Sequence, residues 1–189
     1  MDVEEWADKE RRAKKRVEEI HDAGWMRLQK NSLTIDGEEF ERYSVVHCGA
    51  IAVLPVTDEG NLILERQYRY PIDEILLEIP AGRLDPGEEP AVAARRELRE
   101  EIGKDCKELE PMGLYLPSPG YCTEKVYLFV AKGLFDSPLK GDRGEVIETV
   151  ELSPTEAIAA VVNGLVPDGK TALLLLKYIA MSGPGGYAP

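Results

Sequence analysis

Apolar positions along this chain fall into short unbroken runs and helical stretches, a mixture that predicts an α/β fold. Residues 3 to 22 are rich in Glu, Lys, Arg and Ala, lack Gly and Pro, and have apolar content only at Val3, Trp6, Val17 and Ile20 beyond their alanines. They predict an exposed helix that Gly24 ends. Segments 25 to 34 and 39 to 47 flank Asp36-Gly37, the sequence of a two-residue hairpin turn. A lone hairpin does not hold itself together in water, so this N-terminal piece is expected to pack on the main domain or on a second subunit.

From Ala50 the pattern changes. The run Ala50 to Val56 predicts a strand buried on both faces, and after Asp58-Glu59-Gly60-Asn61 the run Leu62 to Tyr70 predicts a second. A short strand near Ile75 to Ile79 stops at Pro80-Ala81-Gly82, and a loop with Asp85-Pro86-Gly87 leads to a helix from Pro90 to Ile102, capped by Gly103. Strands near 108 to 116 and 124 to 132 flank Pro117-Ser118-Pro119-Gly120, and a polar stretch over 136 to 145 precedes a strand near 146 to 151. Ser153-Pro154-Thr155-Glu156 has capping-box spacing, and a last helix spans Lys170 to Met181, with Leu173 to Leu176 buried on one side. The sum is a mixed sheet with helices on both sides, residues 49 to 182, preceded by a helix and hairpin, residues 1 to 48, and followed by a frayed tail at 183 to 189.

Composition narrows the chemistry. The 189 residues suit one domain with a small appendage, and 43% apolar with 31% charged content is ordinary for a globular chain. A formal charge of -12 disfavours sequence-independent binding to nucleic acid. No apolar run is long enough for a membrane span, and the charged N-terminus is unlike a secretory signal, so a soluble, unprocessed, cytoplasmic protein is expected. Cys48, Cys106 and Cys122 lie far apart and predict reduced core thiols.

The informative stretch is residues 82 to 103, GRLDPGEEPAVAARRELREEIG. At about 100° per residue, Glu97, Glu100 and Glu101 share one arc of the helix. Ala91, Ala94, Leu98 and Ile102 form the neighbouring apolar arc that faces the core. Clustered carboxylates repel one another, and hard divalent cations such as Mg2+ or Mn2+ turn that repulsion into affinity. Arg96, four residues before Glu100, is placed to orient a carboxylate. A solvated acidic helix pairing with Arg95, Arg96 and Arg99 would contain the same residues, but the loop ahead of the helix argues against it.

Gly82, Glu88, Arg96-Glu97-Leu98, Glu100-Glu101 and Gly103 together resemble the Nudix box of the Nudix hydrolases. Chance agreement at this spacing is on the order of 10^-5 or less. Lys104 departs from the box, which usually ends in an aliphatic residue. The resemblance covers roughly residues 49 to 182 and implies an α/β/α sandwich that hydrolyses a nucleoside diphosphate linked to another group, with Mg2+ or Mn2+ as cofactor. It implies that Glu97, Glu101 and the Ala81 carbonyl bind metal, that Glu100 does so directly or through water, and that Glu88 supports the loop and Arg96.

The flanks resemble the ADP-ribose pyrophosphatase branch. Gln67-Tyr68-Arg69 before Glu78-Ile79-Pro80-Ala81-Gly82, and Pro119 with Gly120 beyond the box, match its markers. In that branch Arg69, with Arg66 beside it, would grip the diphosphate, for which a guanidinium fork is suited. The general base would come from the segment Gly144 to Glu148, with Glu145 first and Glu148 and Asp142 behind it. The N-terminal segment would be exchanged within a homodimer, with Trp25 stacking on adenine and Arg42 a weaker contact. Tyr121 and His47 read as structural. The expected reaction is hydrolysis of ADP-ribose to AMP and ribose 5-phosphate. GDP-mannose is an alternative substrate, and the rival classes are a non-catalytic ADP-ribose-binding regulator and an RNA 5'-end pyrophosphohydrolase.

Overall fold

The computed structural model describes residues 2–141 and 143–182. The chain forms two compact units, one of Met1–Cys48 with Ser118–Glu124, the other of Gly49–Pro117 with Lys125–Pro189. The tail expected to fray, 183–189, lies outside the described residues.

In the first unit, helix α1 spans only Val3–Arg12, with Asp2 capping it by accepting from the Glu5 amide at 2.8 Å. The predicted helix over 3 to 22 is therefore too long. Residues Lys14–Asp22 form strand β1, paired antiparallel with β2 (Met26–Ile35), which pairs in turn with β3 (Glu38–His47). Every residue of β1 is exposed, so no apolar face was available to hold a helix there, and ladder bonds to the edge of β2 decide the conformation. Gly24, at φ +83°, sits between two strands and does not end a helix. The hairpin becomes a three-stranded sheet, and its turn is as predicted, with Asp36 and Gly37 both at positive φ. Segment Ser118–Glu124 joins this unit through Val45 N to Tyr121 O at 2.7 Å and Thr123 N to Val45 O at 2.9 Å.

The second unit contains β4 (Ala50–Pro55), β5 (Leu62–Arg69), β6 (Glu74–Glu78), β7 (Ala81–Arg83), α2 (Pro90–Glu101), β8 (Lys104–Tyr115), β9 (Val126–Asp136), β10 (Ile147–Leu152), α3 (Pro154–Val162) and α4 (Gly169–Ser182). Among the described residues of this unit the expected mixed sheet is accompanied by a second, antiparallel one. A four-stranded sheet has the order β7-β4-β9-β8, with β4 and β9 parallel, and an antiparallel one has the order β10-β5-β6. Only an isolated bridge, Val56 to Leu62, joins β4 to β5, so β5 finds its ladders elsewhere.

All six residues of β4 are buried, as its unbroken apolar run predicts. Ala52 and Leu54 enter a core with Leu62, Leu64, Leu128, Leu174 and Leu175. Ile51 and Val53, on the opposite face, pack with Ala93, Ala94 and Leu98 of α2. Helix α2 thus lies flat on the four-stranded sheet. Ala91, expected in its apolar arc, is exposed in the first turn, and Ala93 is buried in its place. Leu174 and Leu175 are buried while Leu173 and Leu176 are exposed, the one-sided burial expected of α4. Of the three free thiols only Cys106 is buried, whereas Cys48 is exposed and Cys122 half-buried, which corrects their assignment to the core. Among the described residues no helix is long and apolar enough to cross a membrane.

Candidate active site

Helix α2 is seated so that its acids meet the end of β7. The Glu97 carboxylate lies directly over Gly82, where an added Cβ would come within 1.8 Å of Glu97 Oε1. Glycine is therefore required here by close approach. Glu101 Oε2 accepts from the Ala81 amide at 2.9 Å, fixing the next turn of the helix to the same strand.

Arg96 organises the remaining acids. Its Nε and Nη2 donate to the two oxygens of Glu88 at 3.0 and 2.9 Å, its Nη1 to Glu97 at 2.7 Å and to Glu100 at 2.9 Å, and its Nη2 to the Arg83 carbonyl at 3.0 Å. Glu88 also accepts from the Asp85 amide at 3.0 Å, which ties the loop to the helix. Through these bonds Arg96 links the loop at Glu88 to the Glu97 and Glu100 carboxylates of α2. Arg96 hydrogen bonding holds the Glu88 carboxyl below its ordinary range.

The acids nearer the sheet behave differently. Burial pushes Glu97 up to about 7 against the pull of Arg96. Burial, with repulsion from Glu65 and Glu97, pushes Glu101 up to about 10. Acids are thus gathered beyond what the local cations neutralise, and these two answer by holding their protons well above the usual carboxylate range.

Strand β5 contributes a second set. Alternation puts Glu65, Gln67 and Arg69 on one face and Arg66 and Tyr68 on the other. Across the ladder Glu65 stands opposite Glu78. Glu78 is 1% exposed and has two cationic partners. Arg69 forks onto it through Nε at 2.7 Å and Nη2 at 2.9 Å, and Lys170 Nζ, itself 3.0 Å from Asp168, also contacts it. Burial alone would raise Glu78, but Arg69 and Lys170 hold it below its ordinary value. Glu65 is fully buried, has no hydrogen-bond partner among the described residues, and is pushed up to about 8 by burial and by Glu78.

The structure brings Ala81, Arg96, Glu97, Glu100 and Glu101 together, as predicted. Glu145 joins them: it accepts from Gln67 Nε2 at 3.3 Å, and its charge acts on Glu65, Glu97 and Glu101. Arg69 is on the same face of β5 but is engaged by Glu78. Arg66 is on the opposite face, paired with Glu148 at 2.9 Å, whereas the charge of Arg69 acts on Glu65 and Glu101 as well as on Glu78. Asp142 lies outside the described residues.

Four predicted residues belong to the first unit. Trp25 is 42% exposed and stands edge-on to the His47 ring, and Arg42 pairs with Glu10 at 3.1 Å and lies over Phe40. Pro119 and Gly120 lie in the segment that docks on β3. Sequence reasoning missed Glu65, Glu78, Gln67 and Lys170 as site residues. Glu65 and Gln67 had a signal, the period-two alternation that places them beside Arg69, whereas Glu78 meets Glu65 only through the register of β5 with β6. Lys170 had none, because its approach to Glu78 depends on how α4 packs.

Among the described residues no three potential ligands stand at cation-holding spacing, because Glu97 and Glu100 are turned onto Arg96 and Glu101 onto the Ala81 amide. The donor set nonetheless fits a hard divalent cation. It consists of carboxylate oxygens, several of them buried under mutual repulsion, with the two Glu65 oxygens and Gln67 Oε1 unpartnered.

Known proteins resemble this chain over most of its length. A family model described as the NUDIX domain matches residues 46–174. The ADP-ribose pyrophosphatase of Bacillus subtilis is 40% identical over 72% of this chain and 75% of its own length. The methanol dehydrogenase activator of Bacillus methanolicus is 35% identical over 88% of this chain and 91% of its own length. The GDP-mannose pyrophosphatase of Yersinia enterocolitica is 33% identical over 87% and 93%. A solved structure titled as an ADP compounds hydrolase has a TM-score of 0.78, covering 88% of this chain and 94% of that one at 22% identity, which shows a common fold.

Proposed function

This chain belongs to the NUDIX domain family and is a Nudix hydrolase, and from that premise we propose that it hydrolyses the pyrophosphate bond of ADP-ribose to AMP and ribose 5-phosphate with Mg2+ or Mn2+, as a cytoplasmic homodimer. The observation that supports this reading is the convergence of Glu97 over Gly82 and Glu101 on the Ala81 amide, with Arg96 bonding Glu97 to Glu100. The 40% identity to an ADP-ribose pyrophosphatase supports the choice of substrate.

Glu97, Glu100, Glu101 and the Ala81 carbonyl would hold the cation. Bound there, it supplies neutralisation of charge on the diphosphate oxygens and eases loss of a proton from the attacking water. Arg96 keeps the Glu97 and Glu100 carboxylates aimed, and it is itself held by Glu88. Arg69 leaves Glu78 for the substrate diphosphate, and Lys170 stays behind as the counter-charge of Glu78. Glu145 takes the proton of the water as its oxygen bonds to one phosphorus, and the bridging oxygen departs with the other. Trp25 offers a face for base stacking and Arg42 a polar contact, with Pro119 and Gly120 shaping the loop between strands.

A second reading, GDP-mannose as substrate, is supported by the relative of that activity, which matches 87% of this chain. Incubating the purified protein with either compound and Mg2+ separates the two. AMP release from ADP-ribose is expected, and roughly tenfold faster turnover of GDP-mannose would reverse the assignment. A non-catalytic ADP-ribose-binding regulator would show tight binding without AMP release, but the retained box glutamates argue for catalysis. Light scattering of the eluted protein tests the homodimer.

A further inference from the structure

Glu65 is 0% exposed, and neither of its carboxylate oxygens has a hydrogen-bond partner among the described residues. Gln67, two residues on and on the same face of β5, donates its amide nitrogen to Glu145 but leaves its own oxygen unpartnered. A buried carboxylate without a counter-charge is among the costliest groups a fold can contain. The arrangement around Glu65 makes the cost worse, because the residue directly across the ladder is another acid, Glu78.

The cations that could answer it are engaged elsewhere. Arg69 forks onto Glu78, and Lys170 reaches the same carboxylate. Arg96 is bound to Glu88, Glu97 and Glu100, and Arg66, on the opposite face of β5, is bound to Glu148. Arg69 and Lys170 act on Glu65 only from a distance, bonded as they are to Glu78, and also within its electrostatic reach is Glu101, which the Nudix box assigns to cation binding. A glutamine at position 65 would fill the same space without a charge, yet the sequence has the acid.

We propose that Glu65 supplies a further carboxylate to the divalent cation held by Glu97 and Glu101, so that the site takes its acids from strand β5 as well as from helix α2. Glu78, with its two cationic partners, is the structural acid of the ladder pair, and Glu65 is the one left for an ion from solution. This inference rests on the cation-dependent reading above, and the test separates the two.

Mn2+ is titrated into the metal-free full-length protein and its uptake followed by electron paramagnetic resonance of the free ion, for wild type, E65Q and E101Q. Circular dichroism and urea midpoints confirm that each variant is folded. Wild type is expected to bind, E101Q to lose binding, and E65Q to weaken roughly 10- to 100-fold, with a metal-free urea midpoint level with or above wild type. Mn2+ uptake by folded E65Q within about twofold of wild type overturns this inference and leaves the family reading standing. Failure of wild type to take up Mn2+ at millimolar concentration overturns both. If E65Q does not fold, Glu65→Val, suited to a strand interior, repeats the comparison with the same outcomes.

Discussion

The helix and the strand that face one another across this site carry similar acids under different conditions. On α2, Glu97 and Glu100 share Arg96 with Glu88, and all four side chains retain some exposure, between 11% and 24%. On β5 and β6, Glu78 is bonded to two cations while Glu65 is bonded to none and feels the same two only from a distance, and both acids are essentially out of water. The helix therefore holds its charge ready in a self-supporting network, whereas the strand holds an acid whose ionised form the fold itself does not stabilise. The two regions respond to substitution differently, because removing an acid from the first breaks bonds and removing Glu65 from the second breaks none.

The largest effect is expected at the point where the two regions meet. Glu101→Gln should lower turnover by about 10^3-fold or more while leaving the metal-free fold at least as stable, since a buried, raised carboxylate is replaced by a neutral isostere. Steady-state AMP release and urea unfolding measure the two halves, and near-normal turnover would remove Glu101 from the cation site. Glu145→Gln comes next, with turnover reduced by about 10^2 to 10^4 and Mn2+ affinity nearly unchanged. An undiminished rate there would move the base to Glu148 or Asp142.

Much of the helix side was legible beforehand because its information is local. Spacing of three and four places Glu97, Glu100 and Glu101 together, and Arg96 finds Glu100 by the same rule. Gly82 and Glu88 were recognisable only as a pattern, and their reason, a carboxylate resting on a glycine and a loop bound by a guanidinium, required the folded chain. The strand side was less legible. Alternation along β5 could have separated Arg66 from Arg69, but the pairing of Glu65 with Glu78 depends on the register of β5 with β6, which the turn at 70–73 sets. The N-terminal region misled for a similar reason. Residues 14 to 22 have helix-forming charge but pair with β2 through backbone bonds that composition does not announce.

Arg96→Met tests how far the helix network supports itself. The substitution keeps helix propensity and bulk but removes five hydrogen bonds, leaving Glu88, Glu97 and Glu100 to repel one another. Cation affinity is expected to fall roughly tenfold or more, with a stability loss of about 1 to 2 kcal/mol, reduced from a fully buried pair because these side chains are part-exposed. Arg96→Lys should recover little, since an ammonium cannot fork onto Glu88. A lysine variant with wild-type cation affinity would mean that charge alone, not the fork, positions the acids.

The gentlest probe is pH, and it acts on the strand side. In the metal-free protein Glu65 titrates at about 8 rather than its ordinary 4.5, because burial and Glu78 disfavour its charged form. Below 4.5 the group is protonated whether the chain is folded or not, and the stabilisation that comes from holding the proton in the folded state is fully present. Between 4.5 and about 8 the unfolded chain has released that proton while the folded one retains it, so stability falls as pH rises, and the loss is complete once the folded group also ionises. E65Q has no such group. Its unfolding free energy from urea titration should track wild type near pH 4.5 and exceed it increasingly toward pH 8, by at most about 5 kcal/mol, a gap that includes the release of Glu101 from the repulsion of Glu65. Saturating Mg2+ should close most of this gap, because the ion supplies the counter-charge that the fold withholds from Glu65. Parallel curves with and without the ion would place Glu65 with Glu78 as a purely structural acid.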